Sequence, residues 1–416
     1  MKIRTIPIVT TLALILLVII PVASLQTQLG WAQAIDHSSH GSRPQPIRYA
    51  PPIDIPNGGY VFVGGQNGSW FRLGQFSRLY RFSLPNFSYT ALSPVRSGGT
   101  VWGGGFNGTQ LLVSGWGTDD GSSGPYVWLY DGAHVVSQDS LDEYGGASSW
   151  AGGDIFAASY SGKYWLLSGL GSGALSTYMG GGPSNHMALG VFDGVTFTDL
   201  SSLVPDQQDA ILYTNAWNGE YWLVGGGWMR HGVLFTLDGS SRLVTSLVLK
   251  AQKSISNFTS VQTVAWNGDY WMIGGMGFLA EYDGRNFIDL TQQLEYALGT
   301  RVFYAVNSVA WNGREWLIAG GMPIAQSSPS HAWAVEFTRE GFRNLASFLP
   351  TYVTNRAENS SILSVATMGE SWILGGYAGN RGFLASYDEA SVTDHSYLVE
   401  AFTYVDWVTS VQGLVF

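Results

Sequence analysis

The stretch Val264-Ala265-Trp266-Asn267-Gly268-Asp269-Tyr270-Trp271-Met272-Ile273-Gly274-Gly275 returns as Val309-Ala310-Trp311-Asn312-Gly313-Arg314-Glu315-Trp316-Leu317-Ile318-Ala319-Gly320-Gly321. Upstream it stands as Asn215-Ala216-Trp217-Asn218-Gly219-Glu220-Tyr221-Trp222-Leu223-Val224-Gly225-Gly226. Weaker copies carry the turn glycine at Gly58, Gly108, Gly162 and Gly369, which makes seven units with turn glycines 45 to 57 residues apart. Self-similarity at that period marks a repeat architecture, in which each unit buries its apolar faces against its neighbours.

Each unit reads as four strands. A short small-residue run such as Ser308-Val309-Ala310 meets an Asn-Gly turn, whose two residues tolerate positive φ, and a second strand of the Tyr-Trp-Leu-Val type follows, ending in Gly-Gly. After a variable loop comes a third strand such as Phe278-Leu279-Ala280-Glu281-Tyr282, the tight turn Asp283-Gly284, and a fourth strand, Asn286-Phe287-Ile288-Asp289-Leu290. The Asp-Gly turn recurs at Asp131-Gly132, Asp193-Gly194 and Asp238-Gly239. Four antiparallel strands repeated about every fifty residues predict an all-β, seven-bladed β-propeller. The last segment, Asp406 to Gly413, resembles the first strand of a further copy, so it is expected to complete blade one and close the ring.

The strand ending in Gly-Gly, the loop, the aromatic-Asp hairpin and a further aromatic together resemble the Kelch repeat family of propellers, over residues 57 to about 400. The chain departs from that family on the fourth strand, where Phe197, Phe287 and Phe342 stand in place of Trp. The Trp-Asn-Gly-x-Tyr-Trp hairpin looks more like extracellular archaeal propeller repeats than like intracellular Kelch adaptors. The resemblance includes a branch of copper-radical oxidases, whose site contains a thioether-linked Cys and Tyr. This chain has no Cys, which argues against that branch.

Composition agrees with strands. The chain has 54 Gly, 17 Trp, 21 Tyr and 20 Phe in 416 residues, with only 12% charged residues. Glycine costs about 1 kcal/mol against alanine inside a helix, which disfavours a bundle. The aromatic content supplies more apolar surface than a disordered chain carries. A formal net charge of −10 leaves no basic patch for nucleic acid. Without Cys there is no disulfide, thiolate metal site or thiol nucleophile.

Lys2 and Arg4 precede the apolar run Ile6 to Ala23. This reads as a signal peptide over residues 1–34, cleaved after Ala23-Ser24 or after Ala32-Gln33-Ala34, with an uncleaved anchor as the competing reading. Both place the remainder outside the cytoplasm, secreted or at the cell surface, touching a membrane only through that segment. Residues 35–56, with five prolines, read as a linker, and 57–416 as one propeller domain. Sequons at Asn67, Asn86, Asn107, Asn257 and Asn359 are glycosylation candidates.

Both tight turns of every blade lie on one face, and the length variation falls on the other. From the last Gly of strand two to the aligned hairpin position is 24 residues in blade three (Gly169 to Asp193) but 8 in blade five (Gly275 to Asp283). A variable loop face on a rigid scaffold suits binding. Its candidate residues are Trp70, Arg72, Trp116, Asp119, Asp120, Tyr178, His186, Trp228, Arg230, His231, His331 and Arg381. Aromatic rings among Asn, Asp, Ser and Gly suit stacking on sugars, with hydrogen bonds to hydroxyls. His186, His231 and His331 each lie seven residues before the aligned hairpin position, as does Arg381. At the start of strand three they stand on the order of 13 Å apart, too far to share a metal whose ligand bonds are about 2 Å. Cleavage after Ala34 would leave Ile35-Asp36-His37 as an amino-terminal copper(II) or nickel(II) motif; otherwise no metal and no cofactor is expected.

Catalysis in a propeller calls for charged groups at the axis, and the innermost strands offer Ala157, Ala158, Ser159, Thr214, Asn215, Thr263, Asn307, Ser308 and Ser364. No pair of carboxylates suits glycoside chemistry. No serine elbow or zinc-binding helix motif appears. The sequence therefore predicts a non-catalytic module that binds an extracellular glycan or protein partner through its loop face. A polysaccharide-acting hydrolase or lyase, and a self-assembling subunit of a surface layer or filament, are the alternatives.

Overall fold

The computed structural model describes residues 60–67, 76–83, 88–92, 99–119, 122–131, 135–137, 150, 153–171, 187–205, 210–228, 231–240, 243–299, 305–321, 331–355, 359–399, 402 and 404–411. They form seven four-stranded antiparallel sheets. Blade four, in order outward from the axis, is Ile211–Trp217, Tyr221–Trp228, His231–Asp238 and Val244–Ser246. Blades two to seven follow this plan. Blade one mixes the chain ends, since Tyr404–Val411 pairs antiparallel with Tyr60–Asn67, ahead of Phe76–Ser83 and Ser88–Ala91. The carboxy-terminal strand closes the ring as expected, beginning two residues before the predicted start. Innermost strands touch their neighbours all the way round, Tyr404–Val411 meeting both Ser360–Met368 and Gly99–Phe106.

The turns use asparagine differently from the expectation. Only the glycine takes positive φ, 101° at Gly219 and 100° at Gly268, and the Asn before it does not. Instead its side chain caps the turn: Asn267 Oδ1 accepts from the backbone N–H groups of Asp269 (2.9 Å) and Tyr270 (2.8 Å). Asn218 and Asn312 repeat the arrangement. In the second hairpin Asp193 Oδ1 accepts from Val195 and Thr196, and Asp388 from Ala390 and Ser391. A side-chain oxygen that mimics a backbone turn is why Asn and Asp recur there.

The Gly-Gly pair answers a distortion in the innermost strand. Every innermost strand carries one extra residue, a β-bulge: Trp102, Phe156, Tyr213, Gln262, Asn307, Leu363 and Asp406 in blades two to seven and one. Opposite the residue before each bulge stands a glycine, and a Cβ there would fall on a carbonyl oxygen of the innermost strand. The pairs are Gly169 with Asp154, Gly226 with Ile211, Gly320 with Ala305 and Gly376 with Ser361. In blades four, five and seven a second glycine just before this one leaves room for the next blade. A Cβ on Gly225, Gly274 or Gly375 would meet Val261, Val306 or Val405 respectively.

Blades are also tied by hydrogen bonds. The hydroxyl just after the bulge accepts a backbone N–H from the next innermost strand: Val264 to Thr214 (3.3 Å), Val365 to Ser308 (2.9 Å) and Val408 to Ser364 (3.2 Å). In the outer half of the hairpin, the Trp271 indole donates to Tyr221 Oη at 3.1 Å and the Trp316 indole to Tyr270 Oη at 3.0 Å. Burial pushes both phenols above their ordinary range. Blade ends are fastened by Asp-x-Ser/Thr: Asp289 Oδ1 accepts from Thr291 N–H, and Thr291 Oγ1 accepts from Leu279 N–H on strand three. Asp199 with Ser201 and Asp394 with Ser396 repeat this. Short helices that the sequence reading did not anticipate follow some blades, at Val248–Ser254, Thr291–Leu298 and Thr351–Thr354.

Candidate functional site

The bulges shape the axis. Residues of an innermost strand alternate between the faces that pack on the preceding and following blades, and the extra residue of a bulge breaks that alternation toward the open edge of the sheet. In blades two to four the extra residues are aromatic and in contact, with ring centroids 5.5 Å apart for Trp102–Phe156 and 5.7 Å for Phe156–Tyr213. In blades five to seven they are Gln262, Asn307 and Leu363, all buried. One side of the axis is thus aromatic, and blades five to seven bring two amides and a leucine to the other.

Innermost strands start, and second strands end, at the loop face. There the aromatic arc joins Leu170, Ile211 and Ala157, with Trp116 and Trp228 packed on it as partly buried neighbours. These two tryptophans terminate or nearly terminate their strands, Leu111–Asp119 and Tyr221–Trp228. They are the predicted site residues that the structure brings onto one cluster.

Asp154 lies in the same region, at the first position of Asp154–Tyr160 and two residues before the bulge. The residue keeps some exposure, yet its Oδ1 is sealed from solvent, with the Trp102 indole as its hydrogen-bonding neighbour. Burial pushes its carboxyl from 3.8 up to about 7, against the opposing hydrogen bonding of Trp102. The innermost-strand residues singled out from the sequence include no buried carboxyl, and Asp154 adds one. The signal was a lone Asp after Gly152-Gly153, which reads as turn chemistry; only the fold reveals the burial.

The other predicted residues are dispersed. His231 and Arg381, both exposed, open the third strands of blades four and seven, and His331 directly precedes that of blade six. This equivalence was legible from their common spacing to the hairpin. Among the described residues no three His, Asp or Glu side chains gather in a metal-binding group. Trp70, Arg72, Asp120, Tyr178, His186, Arg230, Asn86, His37 and the amino-terminal segments lie outside the described residues, as do the side chains of Asp119 and Asn67. Asn257 and Asn359 are exposed, while Asn107 Oδ1 caps its hairpin by accepting from Thr109 and Gln110 N–H.

No protein-family model matches the chain, and no curated protein matches it in sequence. Solved structures do. A candidate 6-phosphogluconolactonase from Bacteroides uniformis superposes with a TM-score of 0.51 at 11% identity, over 86% of this chain and 100% of that one. One from Bacteroides fragilis gives 0.50 at 11% identity, over 86% and 98%. TolB from Acinetobacter baumannii gives 0.39 at 11% identity, over 82% of this chain and 64% of that chain, so this chain spans less than two thirds of TolB. Likeness at such identities is a likeness of fold, the seven-bladed propeller.

Proposed function

We propose that the protein is a secreted or surface-held propeller that binds an extracellular glycan or protein partner through its loop face without catalysis, a Kelch-like module in its Gly-Gly repeat. The carrying observation is the pair Trp116 and Trp228, partly exposed at that face and backed by the buried arc Trp102, Phe156 and Tyr213. Rings held rigidly from behind lose little freedom when a partner stacks on them, which favours binding. The ring of seven bulges fixes their positions. A glycan array and a panel of surface proteins, probed with the mature protein, test this. Retention that falls at least tenfold in Trp116→Ala and Trp228→Ala supports the reading, and retention unchanged in both removes it.

One observation favours the alternative of a polysaccharide-acting enzyme. Asp154 has the raised carboxyl that a general acid needs near neutral pH. Glycoside hydrolysis of the common kind uses two carboxyl groups flanking the bond. Asp154 stands against Trp102 with no charged neighbour shifting it, so the binding reading is preferred.

A further inference from the structure

One position of the repeat, just past the fourth strand, is a leucine in blades one, three, four, five and six. The backbone N–H groups of Leu92, Leu200, Leu247, Leu290 and Leu345 each donate to a strand-three carbonyl at 2.8 to 3.0 Å. In blade seven the same bond runs from His395 to Leu384 O at 2.8 Å. His395 is as buried as the leucines it replaces, 8% exposed against 9% for Leu200 and 7% for Leu247. A polar ring in an apolar slot is costly unless it is hydrogen-bonded, and its Nε2 lies 2.9 Å from Ser386 Oγ on strand three.

His395 stands nine residues before Tyr404–Val411, the strand that closes the ring. Its carbonyl accepts from Leu398 N–H at 2.9 Å, and beyond it Val399 and Phe402 pack with Val405 and Val408 against Leu384 and Ile373 of blade seven. The chain is thus fastened at His395 as it leaves blade seven for blade one. Among the described residues, the charged groups at this corner are Asp394 and Arg381. Asp394 is already engaged, since Oδ2 accepts from Tyr352 Oη at 2.6 Å and Oδ1 from Ser396 N–H at 2.9 Å. Arg381, which opens strand three and acts on Tyr352, is a cation and gives an imidazolium no relief. Burial holds the imidazole below its ordinary 6.5, against the pull of Asp394.

We propose that His395 makes the closure of the ring acid-sensitive: a proton added to its buried imidazole loosens the chain that leads into Tyr404–Val411. Neutral, the ring fills a leucine's place with Ser386 as a polar partner. Protonated, it is a cation in a slot that five other blades fill with hydrocarbon, and the segment must open to hydrate it. Because the folded value is the lower one, the stabilisation is full above about 6.5 and is lost as pH falls through the folded value. Asp154, in blade three, acts with the opposite sign, so location separates the two effects.

Amide hydrogen exchange of the full chain tests this, read by mass spectrometry at pH 7.5 and pH 5 and corrected for the intrinsic pH dependence of exchange. In the wild type, protection of Tyr404–Val411 and of its partner Tyr60–Asn67 should fall at pH 5, by about tenfold for each unit by which the imidazole is depressed, while blade four keeps its protection. His395→Leu, which installs the residue of the other blades, should hold equal protection at both pH values. Should that variant fail to fold, His395→Gln, uncharged throughout and able to bond Ser386, takes its place with the same expectation. Closing-strand protection unchanged at pH 5 in the wild type, a loss equal in all seven blades, or a loss that persists in the variant overturns the inference.

Discussion

The carbonyl oxygen of Ile211 occupies the place where a side chain on Gly226 would begin. The bulge at Tyr213 puts it there, by shifting the register between Leu212 and Thr214. Every Gly-Gly in the repeat is thus half of a pair with a bulge on the neighbouring strand, and the bulge sets which side chains line the axis.

Gly226→Ala should therefore cost about 3 kcal/mol or more, because backbone must move on a strand packed from both sides. Gly313→Ala is the control. Nothing lies within 4 Å of a Cβ there, but φ is 101°, so strain of about 1–2 kcal/mol is expected. Chemical denaturation of the two variants checks the order, and equal losses would refute the bulge explanation.

Ser308→Ala should destabilise the ring by about 1–3 kcal/mol, since the buried Val365 N–H loses its acceptor while the side chain loses a single oxygen. Amide exchange should quicken at Val365 more than at Val309. A stability change near zero would mean that water takes over the role of the hydroxyl.

Removal of residues 404–416 should lower the melting temperature sharply. It takes away the strand paired along Tyr60–Asn67 and the contacts of Val405 and Val408 with blade seven. An unchanged unfolding midpoint would show that ring closure contributes nothing.

Stability should fall as pH rises from about 4 to about 7 through Asp154. Its folded-state value lies above its unfolded one, so the native protein holds a proton that the unfolded chain releases in that window. The contribution is full below the unfolded value and is lost through the folded one, on the order of a few kcal/mol. Asp154→Asn should flatten the curve there. A parallel curve in the variant would contradict the burial of the carboxyl.

The blade count, the strand order and the closing strand were legible because Asn-Gly, Asp-Gly and Gly-Gly each have a local stereochemical cause and return at a common spacing along the chain. The bulges were not legible. Trp102, Phe156, Tyr213, Gln262, Asn307 and Leu363 share no residue type, because what they share is a register shift against another strand. The helices were missed for a different reason. Val248–Ser254 and Thr291–Leu298 are 7 and 8 residues long, too short for a periodic pattern to stand out, and packing rather than propensity holds them. Of the candidate site, Trp116 and Trp228 could be chosen by position after the repeat, whereas Asp154 required knowing what surrounds it.

The most direct test of binding without catalysis is to incubate the mature protein with the polysaccharide or glycan it retains, and to count new reducing ends and unsaturated products over time. The account predicts a stable complex and no product above the buffer blank, in wild type and Asp154→Asn alike. Product that accumulates with the wild type and vanishes in Asp154→Asn would contradict it and make this propeller an enzyme.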